Sequence, residues 1–183
     1  MTLVVDTNVP LTANRWPLER QGCPAKCIRA LRPIFEGERF AIDDGFLIIK
    51  EYQKKLRQDQ PGVGNEFLKW VLTNYANPAR CDRIPIRPRV TDEPNPPEDY
   101  EQFPSAEDLR YFDPPDRKFV AVAATHSERP PILQAMDSKW LGWYQALRAA
   151  GVRVRFVCYA DVVPLFLDKI GGALPDVHES DRA

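Results

Sequence analysis

The chain is 183 residues long, 44% hydrophobic and 28% charged, and its 25 lysines and arginines against 26 acids leave a formal net charge of −1. That length suits a single domain with room for a sizeable core. The near-neutral balance excludes a protein that coats nucleic acid by global charge, so any such contact must come from a local basic surface. Two histidines, His126 and His178, are too few for a histidine-based metal cage.

In chain order, residues 3–5 are aliphatic and rich in β-branched side chains, predicting a short buried strand that ends at Asp6. The same run lacks a basic flank and is far too short for a signal peptide or membrane span, so a cytoplasmic protein without a membrane partner is expected. A helix is predicted over 24–35, with Cys27, Leu31, Ile34 and Phe35 on one stripe. A strand follows over 39–42, ending at Asp43 and Asp44, either of which can cap a helix over 45–56. A further helix over 64–75 carries Phe67, Trp70, Val71 and Asn74 at helical spacing. Cys23, Cys27, Cys81 and Cys158 are scattered. Cys23 and Cys27 share a helix face, but a zinc site needs two more ligands at suitable spacing, so buried, idle thiols are expected.

The middle of the chain changes character. Residues 80–90 hold four arginines and one aspartate, whereas 91–116 hold nine acids, a single arginine (Arg110) and many prolines. Pro94, Pro96, Pro97 and Pro104 exclude a continuous helix or central strand there. An insertion at about 91–112 is therefore expected to be a mobile lid or binding loop that contributes little to the fold.

Regular alternation then returns. An alanine-rich helix is predicted over 116–125, a short strand over 132–135 ending near Asp137, and an amphipathic helix over 139–150 stopped by Gly151. An alternating strand over 152–158 and a last helix over 160–170 follow, then a polar tail, 171–183, expected to fray. Strands alternating with helices predict one α/β domain over 1–170, built as a three-layer α/β/α sandwich around a mainly parallel sheet.

Ligands of open parallel sheets bind beyond the carboxyl ends of the strands. Asp6 and Asp137 fall there, Asp116 opens a helix, and Glu51 lies within one. Taken singly, each has a bland role: a turn or cap for Asp6 and Asp137, a dipole partner for Asp116, an ion pair with Lys54 or Lys55 for Glu51. Asp113 can cap the helix of Asp116 through Pro114 and Pro115. Four acids meeting in one place would repel unless a cation neutralised them, and all-oxygen donors point to Mg²⁺ or Mn²⁺.

Their order has a precedent. The stretch LVVDTNVPL resembles the first motif of PIN-domain nucleases, DDGFLIIKEYQKKL the second, DPPDRKFVAVAAT the third and QAMDSKW the fourth. Together these cover most of residues 1–160. The resemblance implies a PIN-like fold and a metal-dependent endonuclease in which Asp6, Glu51, Asp116 and Asp137 are catalytic metal ligands, supported by Thr7, Asn8 and Asp113. It also implies RNA ahead of DNA as substrate, a toxin or phage-defence setting with an antitoxin or defence-system partner, and a second copy of the chain as a candidate partner. Ala135 departs from the Ser or Thr usual in the fourth motif, and the 91–112 insertion exceeds what a minimal toxin carries.

For nucleic-acid contact the sequence offers Arg80, Arg83, Arg87 and Arg89, which an extended strand would present together, and Arg117 and Lys118 beside Asp116. Pairing of the four arginines with the downstream acids is the competing expectation. Trp140 and Trp143 suit the core better than base stacking. Two rival functions remain: a catalytically silent PIN-like binding or scaffold module, and a haloacid-dehalogenase-type phosphohydrolase, against which Asn8 stands where the second acid is needed.

Overall fold

The computed structural model describes residues 1–15, 22–92 and 98–182. Strand β1 (Thr2–Val5) leads through helices α1 (Asn8–Ala13) and α2 (Cys23–Glu36) to β2 (Arg39–Asp43). Helices α3 (Leu47–Lys55) and α4 (Val63–Asn74) precede β3 (Cys81–Ile84). After the insertion come α5 (Arg117–Thr125), β4 (Ile132–Gln134), α6 (Lys139–Ala149), β5 (Val154–Phe156) and α7 (Tyr159–Lys169). The five strands form one all-parallel sheet in the order β3-β2-β1-β4-β5, flanked by the helices as a three-layer α/β/α sandwich. Every residue of β1 is buried, as a parallel strand covered on both faces requires.

Helix α1 is absent from the sequence expectations for two reasons. Six residues are too few to show a period, and Pro10 looks like a breaker, although in the first turn its missing N–H has no helical partner to lose. The start of α4 presses against α1 so closely that a Cβ on Gly64 would lie 1.9 Å from the Pro10 carbonyl oxygen. Beside it, Asn14 and Asn65 bond reciprocally: Asn14 Nδ2 donates to Asn65 Oδ1 at 2.8 Å and Asn65 N to Asn14 Oδ1 at 3.0 Å. Strand β5 is shorter than the alternating run because its ladder partner among the described residues, β4, supplies three residues. Asp43, rather than Asp44, caps α3, accepting from Leu47 N and Ile48 N at 2.7 and 2.8 Å.

Three expectations are corrected. The insertion is structural over its second half: Tyr100, Phe103, Leu109 and Phe112 are buried, and Phe112 packs edge-on to Trp140 at 5.2 Å. Residues 87–89 and 99–101 run antiparallel through Arg89 N to Asp99 O and Glu101 N to Arg87 O, both 2.9 Å. Residues 93–97, with Pro94, Pro96 and Pro97, lie outside the described residues. The tail docks instead of fraying: Val177 is buried, Tyr144 Oη donates to Asp181 Oδ2 at 2.8 Å, and Arg182 bridges to Phe156 of β5. Cys23 and Cys158 form a disulfide across 135 residues, since the start of α2 packs beside the end of β5. Scattered spacing concealed that meeting, and only Cys27 and Cys81 remain as free, buried thiols, whose burial pushes both up to about 12. Among the described residues no helix is long and apolar enough to cross a membrane.

Candidate active site

From β1 the chain moves outward to β2 and β3, then returns to the other side of β1 for β4 and β5. The direction of winding reverses between β1 and β4, and the crevice beyond the carboxyl ends of those strands is where such sheets bind ligands. Asp6 directly follows β1 and its N–H bonds to Leu133 O of β4 at 3.0 Å. Helix α3, leaving β2, brings Glu51; a 3-10 turn (Pro114–Asp116) running into α5 brings Asp116 and Lys118; Asp137 lies just past β4. Asp6, Thr7, Asn8, Glu51, Asp116 and Lys118 line a cavity of about 680 Å³. Asp137 is not among its lining residues.

The electrostatics are those of crowded carboxylates. Asp6 is 1% exposed, and burial, followed by the charges of Asp116 and Glu51, holds its carboxyl well above the usual range. The Asn8 backbone N–H, donating to Asp6 Oδ1 at 2.8 Å, opposes this. Burial and the Asp137 charge raise Asp116 to about 7, against a hydrogen bond from Trp140 Nε1 at 3.1 Å. Glu51 differs: Thr7 Oγ1 donates to its Oε1 at 2.6 Å, and the buried Lys118 ammonium meets its Oε2 at 2.5 Å. Among the described residues no ion pair reaches Asp6 or Asp116. Asp137 accepts from Lys139 N at 3.0 Å, as a residue opening α6 would, and Asp113 pairs with Lys139 Nζ at 2.7 Å.

The predicted acids therefore share an electrostatic environment without closing into a tight cage. Among the described residues, the only group of three or more Cys, His, Asp or Glu whose ligand atoms all lie within 4.8 Å is Cys23, Cys27 and Cys158. The donor chemistry still fits Mg²⁺ or Mn²⁺. Mg²⁺ retains several waters and is commonly held by one or two carboxylates, which Asp6 and Asp116 supply with no cation of their own.

The predicted basic residues disperse. Arg87 pairs with Asp44 at 3.0 Å, Arg80 lies beside Gly37 at the end of α2, and Arg83 is exposed on the edge strand β3. Arg89 lines the cavity while bonding Asp99 at 2.8 Å, so pairing with the acidic insertion holds for that residue. Arg117 is no phosphate ligand as placed: it is 9% exposed, stacks over Phe103, donates to Arg110 O and Phe112 O, and pairs with Asp99. Lys118 faces the cavity, but its ammonium is bonded to Glu51 and Pro115 O.

Sequence reasoning missed the exposed lysines of α3. Lys50, Lys54 and Lys55 line the cavity on the helix that carries Glu51, and the spacing of four and five residues from Lys50 was a readable signal. It also missed two side chains that position the site. Trp140 orients Asp116 from within the core, and Tyr52 Oη donates to the Val5 carbonyl immediately before Asp6. Comparison of the chain with protein-family models, with curated proteins and with solved structures finds no match in any of the three.

Proposed function

We propose that the chain is a divalent-metal-dependent nuclease that cuts single-stranded nucleic acid, RNA ahead of DNA, in a toxin or phage-defence role. One observation carries the reading: a buried carboxylate, Asp6, sits without a cation beside a second, Asp116, at the switch point of a parallel sheet, facing a cavity rimmed by lysines. Leaving two carboxylates so close and desolvated is unfavourable for the protein alone, and a bound cation offsets the cost. The preference for RNA, and the biological role, rest on the motif resemblance.

In this reading Asp6 and Asp116 would hold Mg²⁺ or Mn²⁺, with Glu51 and Asp137 adding negative charge beside them. When bound, the ion would supply an acidified water and neutralise charge on the phosphodiester. Asn8 N–H and Trp140 Nε1–H fix the two carboxylates in orientation. Thr7 and Lys118 hold the Glu51 carboxylate in place at the cavity wall. Lys50, Lys54 and Lys55 bind the flanking phosphates, giving affinity without sequence readout.

The test is cleavage of labelled single-stranded RNA and DNA with Mg²⁺ or Mn²⁺, comparing the wild-type chain with Asp6→Asn and Asp116→Asn. Each variant should remain folded, melting no lower than the wild type, and lose about a hundredfold or more in rate, and the double variant should lose little beyond that. Wild-type rates in Asp6→Asn sink the assignment. A silent binding module is the second reading, favoured by the neutralisation of Glu51 by Lys118. It requires binding without cleavage under any divalent ion, and tighter binding once Asp6 loses its charge.

A further inference from the structure

The densest set of metal-ligating side chains lies away from the carboxylates. Cys23 opens α2, Cys27 stands one turn further along it, and Cys158 immediately precedes α7. Cys27 Sγ is 3.9 Å from Cys23 Sγ and 3.8 Å from Cys158 Sγ, and all three residues are buried. We infer that in the reduced protein Cys23, Cys27 and Cys158 bind one soft divalent ion, Zn²⁺, and that the Cys23–Cys158 disulfide is the oxidised, metal-free form of the same site.

Three observations converge on this. A disulfide alone has no use for a third sulfur in contact with both of its atoms, whereas a metal site does. Thiolates around tetrahedral zinc at about 2.3 Å stand about 3.8 Å apart, the separation Cys27 already keeps from both partners. The two helices, of 14 and 11 residues, also direct their N-terminal ends at the cluster, a field that opposes the burial which pushes the Cys27 thiol up to about 12. A fourth donor comes from water or from Asp161, whose N–H bonds to Cys158 O at 2.9 Å and whose carboxylate is 3.8 Å from Lys26, the residue before Cys27.

Conversion between the two forms balances with a dithiol reductant. Two electrons and two protons pass to the Cys23–Cys158 bond, which breaks to two thiols, and the reductant leaves as its own disulfide. Zn²⁺ then displaces the three thiol protons to solvent. A small-molecule disulfide as oxidant reverses both steps: it takes two electrons from Cys23 and Cys158 and leaves as two thiols, the ion is released as the sulfur–sulfur bond forms, and Cys27 takes back a proton from solvent.

The full chain, reduced with a phosphine and kept anaerobic, would be titrated with Co²⁺ as a spectroscopic probe and then with Zn²⁺. One equivalent of Co²⁺ should give a thiolate-to-cobalt charge-transfer band that Zn²⁺ bleaches. Cys27→Ser, which keeps both disulfide cysteines, should lose at least about tenfold in Zn²⁺ affinity, and the oxidised wild-type chain should give no band. Cys81→Ser removes a buried thiol outside the cluster and should leave binding unchanged. Absence of the band in folded, reduced protein overturns the inference, as does a band that survives Cys27→Ser. If reduction unfolds the chain, Zn²⁺ must restore the native melt; failure to do so overturns it equally.

Discussion

Substituting Asp116 by Asn should make the metal-free protein more stable at neutral pH while abolishing the proposed activity. The carboxyl of Asp116 is raised from 3.8 to about 7, chiefly by burial and by Asp137. Such a group binds its proton more tightly folded than unfolded, so its contribution is fully present below the unfolded value and is lost as pH climbs through about 7. Roughly three pH units at about 1.36 kcal/mol each set a ceiling of about 4 kcal/mol, and coupling to Asp6 lowers what one substitution recovers to about 2–3 kcal/mol. Asn retains an oxygen to accept from Trp140 Nε1, so the geometry survives. Urea titrations from pH 4 to 8, with chelator present, should show wild-type stability falling across that range and the variant falling less steeply, since Asp6 keeps a carboxyl raised by its own burial. The two curves should coincide at the acid end. Millimolar Mg²⁺ should then restore the wild type at pH 8 and leave the variant unmoved. Parallel pH profiles for the two proteins would refute both the crowding of carboxylates and the metal's role in relieving it.

Other outcomes follow from the packing. Phe112→Ala should cost about 3–5 kcal/mol in a denaturant melt, since the ring fills space against Trp140 and Trp143; a loss under 1 kcal/mol would restore the insertion to the status of a dispensable loop. Replacing Lys50, Lys54 and Lys55 together by Gln should weaken single-stranded RNA binding and reduce the slope of log affinity against log salt by about 2, with an unchanged slope removing these lysines from the substrate path. Gly64→Ala should destabilise by about 1–3 kcal/mol or more because its Cβ meets the Pro10 carbonyl, and a neutral result would mean the α1–α4 approach is looser than drawn.

The parts of the fold legible in sequence are those in which one segment decides its own state. Residues 3–5 are a continuous apolar run and 132–135 are apolar but for Gln134, because a parallel strand is covered on both faces, and an acid follows each, Asp6 directly and Asp137 two residues on, because the sheet's ligand end begins there. What escaped depends on partners remote in the chain. Cys158 meets Cys23 only after five strands are stacked, and Glu51 is neutralised by Lys118 rather than by the lysines one turn away. Tyr100, Phe103, Leu109 and Phe112 follow no period, so their acidic, proline-rich surroundings suggested a loop although four large apolar side chains were in plain view. Tail burial hid for the same reason: Val177 is a lone apolar residue whose pocket is made by other segments.

The position of β1 in the middle of the sheet also bears on how the chain is made. Its first edge can pair as soon as β2 leaves the ribosome, with Thr2 opposite Arg39, but its second edge must wait for Ile132 and Leu133. Until β4 is made, the strand that presents Asp6 keeps a row of open N–H and C=O groups, the kind of edge other chains can add to. Loop closure over that span makes the pairing of β1 with β4 a late and slow step. Asp6 and Asp116 therefore come together only once α5 and β4 have been made, and a product truncated before them lacks one wall of the cavity.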